Sequence, residues 1–121
     1  MSWDFDLCDP VTRKVLATDE KHFMFGETVC VGGDTAMTLN ITYNYSDIIN
    51  KVIESEEGYA YLLDGKSDAE TIPILKNAIS KLGNDVDDDY WKATEGNAKR
   101  ALSQLLAFAQ MRPDGIWEVY V

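Results

Sequence analysis

Between Ile72 and Ala109 the apolar residues return every three or four positions, whereas Trp3, Phe5 and Leu7 at one end and Ile116 to Val121 at the other alternate with polar neighbours. A period near 3.6 lines apolar side chains along one helix stripe, and a period of two lines them on one face of a strand. A chain carrying both, with strands outside and helices inside, is restricted to α+β arrangements in which a sheet covers a helical layer. With 121 residues, 45% of them hydrophobic, it can fill one core, since a domain of this size buries roughly two-thirds of its unfolded surface. No internal repeat, low-complexity stretch or linker divides it, so residues 1–121 are read as a single domain.

Local signals refine this outline. Asp9-Pro10 supplies turn chemistry after the first strand, which predicts a hairpin returning through Lys14 to Ala17. Thr28 to Val31 is β-prone, Gly32-Gly33-Asp34 breaks it, and Met37, Leu39, Ile41 and Tyr43 then alternate with Thr38, Asn40, Thr42 and Asn44, which predicts a second hairpin. Ser46 caps a helix with Ile48, Ile49, Val52 and Ile53 on its stripe, ending near Glu54 to Gly58. Tyr59 to Leu63 is too short for periodicity to separate strand from helix. Ser67 and Glu70 have capping-box spacing ahead of Ile72, Leu75, Ile79 and Leu82, with Gly83 as C-cap, and Pro73 marks either a kink or the true first turn. Thr94 caps the last helix, striped by Ala98, Ala101, Leu102, Leu105, Phe108 and Ala109 and ended ahead of Pro113. The expected product is antiparallel hairpins packed with about three helices and closed by a C-terminal strand.

Twenty-one acidic residues against eleven basic ones leave a net charge of −10. Such a surface repels a phosphate backbone, so direct nucleic-acid binding is not expected. It can instead imitate DNA and cover a basic groove on another protein, although solubility alone explains many acidic surfaces. No apolar run approaches the ~20 residues that span a bilayer, and no membrane role is expected. The start Met-Ser-Trp-Asp lacks the basic and apolar regions of a signal peptide, and Cys8 and Cys30 have no paired spacing. A cytoplasmic protein with reduced thiols is the expectation. Asn40-Ile41-Thr42 and Asn44-Tyr45-Ser46 match the glycosylation pattern, which has no meaning without a secretory route.

Catalytic and metal motifs are weak. Asp85, Asp87 and Asp89 hold positions 1, 3 and 5 of a calcium loop, but Tyr90 stands where the sharp turn needs glycine and Gly96 where a bidentate glutamate is needed. The segment reads as a solvated acidic loop, with no metal expected. Gly65-Lys66-Ser67 copies the tail of a phosphate loop whose leading glycine is replaced by Ala60, and reads as a turn into a capped helix. His22 is the only histidine, which removes most zinc patterns. A Cys–His pair using Cys8 or Cys30 has no local signature, no cofactor motif occurs, and the chain leans away from being an enzyme.

Asn40, Thr42 and Asn44 would share one side of a strand, an environment from which asparagine is depleted. One reading leaves them facing solvent or capping the next helix. The other makes a polar ligand pocket in which they read hydrogen-bonding groups while Tyr43, Tyr45, Tyr90 or Trp91 supplies a stacking surface. Asn97, Lys99 and Arg100 lie in the first turns of the last helix, where free N–H groups favour phosphate. The plain alternative is a solvated face pairing with nearby aspartates.

The stretch Leu39 to Ser46, with Ile72-Pro73-Ile74-Leu75, Glu95-Gly96-Asn97-Ala98, Leu105-Leu106-Ala107 and Arg112-Pro113-Asp114, resembles a group of small uncharacterised bacteriophage and prophage proteins over roughly residues 28 to 121. The resemblance implies an accessory protein in the bacterial host cytoplasm that acts against host defences. Two functions follow. The first is a non-enzymatic protein sequestering a nucleotide-like small molecule through Asn40, Thr42, Asn44, Asn97 and Arg100. The second is an acidic inhibitor of a host protein, using Asp85, Asp87, Asp88 and Asp89. Trp117 and Tyr120 either bury in the core or mark the edge of a homo-oligomer.

Overall fold

A computed structural model describes residues 1–25 and 28–120, with side chains described outside 23–31. The Cys30 thiol and Val121, which the sequence assigns to the closing strand, therefore lie outside the described residues. The architecture is α+β. Strand β1 (Ser2–Cys8) is central in an antiparallel sheet, and the second sheet holds β2 (Ala17–Phe25), β3 (Thr28–Val31) and β4 (Asp34–Ala36). The neighbours of β1 are β5 (Thr38–Thr42) and the C-terminal β6 (Ile116–Tyr120). Phe5 stands opposite Leu39 on one side and Val119 on the other, and Leu7 opposite Trp117.

The first predicted hairpin is shortened and the second rearranged. The first does return, but only as far as Leu16: Asp9 N donates to the Lys14 carbonyl (2.9 Å), Cys8 bridges Val15 and Leu16 N donates to the Leu7 carbonyl (2.8 Å), after which the chain leaves for β2. Of the returning residues only Leu16 buries its side chain, whereas β5 and β6 bring Ile41 and Trp117 to the same core as Phe5 and Leu7. In place of the second hairpin, β3 pairs with β2, and the chain then crosses to the other side of β2 as β4. His22 is the point of crossing, opposite Val31 on one side and Asp34 on the other. Gly32 and Gly33 make this crossing at φ values of 117° and 73°, a region that side chains with a Cβ disfavour. Met37 then hands the chain to β1, accepting from Leu7 N at 3.0 Å.

The helical layer is α1 (Ser46–Val52), α2 (Tyr59–Leu63), α3 (Asp68–Ser80) and α4 (Glu95–Met111), with a 3₁₀ turn at Tyr43–Tyr45 ahead of α1. Tyr59 to Leu63 is helical because Tyr59, Ala60 and Leu63 bury together while Tyr61 faces out, a helical rather than alternating pattern. Ser67 caps α3 as its spacing predicts, and Pro73 sits in the second turn of an unbroken helix. Helices α3 and α4 pack on each other, and Trp117 of β6 is fully buried and donates from Nε1 to Thr71 Oγ1 of α3 at 3.1 Å. Tyr120 remains half exposed. No helix among the described residues is long and apolar enough to cross a membrane.

One buried group opposes this packing. Asp68, first residue of α3, is fully buried, and neither carboxyl oxygen has a hydrogen-bond partner among the described residues. A carboxylate at a helix start is ordinarily favoured by the free N–H groups there, but Oδ2 instead lies beside Gly115, 3.1 Å from where a Cβ on that glycine would stand. Burial, reinforced by the charge of Asp114, pushes the Asp68 carboxyl up to about 7. The folded state therefore holds a proton that the unfolded chain releases near pH 4. This contribution is favourable below that pH and is lost as pH rises toward 7. Asp68→Asn should accordingly be more stable than the wild type at pH 8 by about 1–3 kcal/mol, with the gap closing by pH 4. Urea midpoints across that range test it, and a gap independent of pH would contradict it.

Candidate functional site

The segment from Gly83 to Thr94 is rich in aspartate yet firmly anchored. Thr94 caps α4 by accepting from Asn97 N at 3.1 Å, and Asp85 Oδ1 accepts from Gly96 N at 3.0 Å. Gly96 is required by this closeness: a Cβ there would lie 2.5 Å from Val86 N and 2.6 Å from the Asp85 carbonyl carbon. Asn97 is buried and supplies three bonds. Its Oδ1 accepts from Asp87 N at 3.0 Å, and its Nδ2 donates to the carbonyls of Asp89 (3.1 Å) and Lys92 (3.0 Å). The amide thereby replaces water for backbone groups of the loop.

The aspartates continue the pattern. Asp87 Oδ1 accepts from Asp89 N at 2.8 Å, and Asp89 Oδ1 accepts from Trp91 N at 3.1 Å, turns that asparagine and aspartate form readily. The Asp89 N–H, aided by Lys92 at 3.2 Å, holds the Asp87 carboxyl below its ordinary range. On its far side the loop is tied to the segment after β5. Tyr45 donates its hydroxyl to the Tyr90 carbonyl, and Asn44 Nδ2 donates to the Trp91 carbonyl at 2.8 Å. Burial pushes the Tyr45 hydroxyl up to about 12, so it stays a donor. Tyr90 and Trp91 meet edge-on with ring centres 5.0 Å apart, yet remain 45% and 57% exposed.

Beneath this loop lies a cleft of about 290 Å³. Asn40, Tyr45 and Tyr90 line one side, Asp87 and Asp88 the rim, and Asn97, Arg100, Ala101 and Gln104 of α4 the other. Five of the ligand residues expected from sequence thus converge, but most of their polar groups are engaged. Asn40 donates from Nδ2 to Ser2 Oγ and Asp4 Oδ1, both at 2.7 Å, across β1. The expected common face of Asn40, Thr42 and Asn44 does not form, because β5 ends at Thr42 and Asn44 enters the 3₁₀ turn. Thr42 is buried and caps that turn, accepting from Asn44 N at 3.2 Å. Tyr43 packs on Trp3 at 4.9 Å, away from the cleft. Lys99 bonds Asn84 Oδ1 at 2.8 Å. Arg100 makes no ion pair or side-chain hydrogen bond among the described residues and is the cation left available to a ligand.

Gln104 was not assigned to the site from sequence. Its signal was the helical spacing Asn97, Arg100, Gln104, which sets the three on one stripe of α4. A larger groove of about 430 Å³ lies among Val52, Leu62, Pro73 and Ile74. Glu54, Asn77 and Lys81 also line it, and none of the residues expected from sequence to bind a ligand does. The buried Cys8 thiol is pushed up to about 11 by burial and by Glu118, which disfavours the thiolate a nucleophile needs. His22 shares a bond with Thr18 Oγ1 at 2.8 Å and packs edge-on against Phe108. Among the described residues no cluster of three or more histidine, cysteine or acidic side chains is placed to hold a metal.

No family model, curated protein or solved structure matches the chain.

The anchoring of the loop can be measured directly. Asn97→Asp keeps the shape but cannot donate to the Asp89 and Lys92 carbonyls, and is expected to cost about 2–3 kcal/mol in urea unfolding. Gly96→Ala should be at least as damaging, because its new methyl meets backbone rather than a movable side chain. Stability within about 0.5 kcal/mol of wild type in both would show that the loop does not depend on these contacts.

Proposed function

We propose that this protein acts by binding, and that its principal contact surface is the acidic loop bearing Tyr90 and Trp91, directed at a basic surface on a protein partner. The observation that carries this reading is the exposure of two large aromatic side chains on a loop held by Asn97, Asp85, Asn44 and Tyr45. Exposed aromatics on a rigid support give much contact area for little ordering entropy. Asp87, Asp88 and Asp89 around them add attraction to a basic partner and penalise a neutral one. The resemblance to phage-encoded proteins supports a bacterial host protein as the target, with interference in host defence as the outcome.

The experiment is affinity capture from bacterial lysate with the wild type, with Trp91→Ala, and with Asp87, Asp88 and Asp89 all changed to Asn. A complex is expected that weakens as salt is raised, and that both variants lose by about tenfold or more. A complex indifferent to salt and to both variants would remove the loop from consideration.

A second reading, sequestration of a nucleotide-like small molecule, is favoured by the cleft that joins Arg100 and Gln104 to the Tyr45 and Tyr90 rings. Asp87 and Asp88 at its rim disfavour polyphosphates, so a nucleoside-sized ring compound carrying little negative charge fits best. Such a compound should raise the melting temperature of the wild type and not of Arg100→Ala. A nucleoside and nucleotide panel that stabilises neither protein would exclude it.

A further inference from the structure

Strand β5 is an outer strand of its sheet, and its register decides which backbone groups are used. Leu7 N donates to the Met37 carbonyl and Tyr43 N to the Met1 carbonyl, at 3.0 and 3.2 Å. Residues 39, 41 and 43 therefore turn their N–H and C=O groups toward β1, as Met37 turns its carbonyl, and Thr38 and Asn40 turn theirs away. The only partner on that outer side among the described residues is the Tyr90 hydroxyl, which donates to the Asn40 carbonyl at the long distance of 3.5 Å. An unpaired strand edge is a template for another strand.

The edge does not open onto bare solvent. Two hollows are each lined by residues of both β5 and α4. One is the cleft with Arg100 and Gln104, and the other, about 270 Å³, is lined by Thr38, Leu39, His22, Asp34 and Phe108. From Arg100 to Phe108 the helix advances roughly 12 Å, the length of about four extended residues. Carboxylates stand at both ends, Asp87 and Asp88 at one and Asp34 at the other. A trough between a strand edge and a helix, with acids at its ends, has the geometry of peptide recognition by strand addition.

We propose that an extended, basic peptide segment of a partner docks as an added strand on the outer edge of β5, pairing with the backbone of Thr38 and Asn40. Its side chains then alternate between the α4 hollows and solvent, and its flanking lysine or arginine residues meet Asp87, Asp88 and Asp34. This deepens the protein-binding reading above and rests on it, adding the conformation of the bound segment and a second contact site beside the loop.

The test uses a random peptide library selected on the immobilised full chain. Asn40→Pro removes one outward donor and places a ring in the edge, a substitution that edge strands tolerate because the lost N–H faces outward. Thr38→Pro does the same one pair away, in case the first variant fails to fold. Asn40→Ala removes only the side-chain bonds to Ser2 and Asp4. Basic, β-prone peptides are expected, binding Asn40→Pro at least about tenfold more weakly than the wild type and Asn40→Ala within about twofold. Amide exchange at Thr38 and Asn40 should slow when peptide is added. Peptides that bind both proline variants as tightly as wild type, leave those amides unprotected, or fail to enrich would overturn the strand-addition proposal. So would a homodimer that the proline variants dissociate, since a second copy would then be the occupant. Binding lost in the triple Asp→Asn variant but kept in the proline variants would leave the acidic loop standing without the edge, and binding indifferent to both sets would remove the two together.

Discussion

Strand β1 is bonded on both sides, and most of the molecule is arranged by that fact. Pairing with β6 draws the distant C-terminal segment against the first residues and seats Trp117 over Thr71 of α3. Pairing with β5 fixes which groups of Thr38 to Thr42 face inward and which face outward. Phe5 and Leu7 on the inner face complete the shared core with α1 to α4. Both pairings are long-range, so their benefit arrives only after the intervening chain has been ordered.

The second organising feature is the close approach of the acidic loop to the start of α4. Repulsion among Asp85, Asp87, Asp88 and Asp89 would by itself favour an open loop. Backbone N–H donors to three of these carboxylates and the Asn97 amide offset it. In consequence the charge is concentrated rather than dispersed, and Tyr90 and Trp91 are held outward beside it. The cleft and the strand edge adjoin the same loop through the Tyr90 hydroxyl.

Much of this was legible in residue order. The capping box at Ser67 and Glu70, the Thr94 cap, the helical stripes of α3 and α4 and the alternation in β1 and β6 all rest on neighbours within a few positions, and each element forms where its pattern predicts, except that α3 ends at Ser80, ahead of the expected Gly83 cap. Convergence of Asn40, Tyr45, Tyr90, Asn97 and Arg100 was also anticipated, although the tasks of several were not. Asn97 is a loop clamp rather than a free ligand group, and Asn44 and Thr42 hold the turn after β5. An amide's sequence neighbours do not disclose which carbonyl fifty residues away will come within 3 Å of it.

The sequence by itself determined the elements: period, caps and turn residues act locally, and local physics is written in local order. Strand partnership was decided only by the tertiary structure. Lys14 to Ala17 and Thr28 to Val31 carry β signals that do not name a mate. The pairings with β5 and β6 bury Ile41 and Trp117 in one core with Phe5 and Leu7, and burial of apolar surface favours them. The same pairings left the outer edge of β5 beside α4, a trough whose two walls come from segments about sixty residues apart, and which no local pattern could announce.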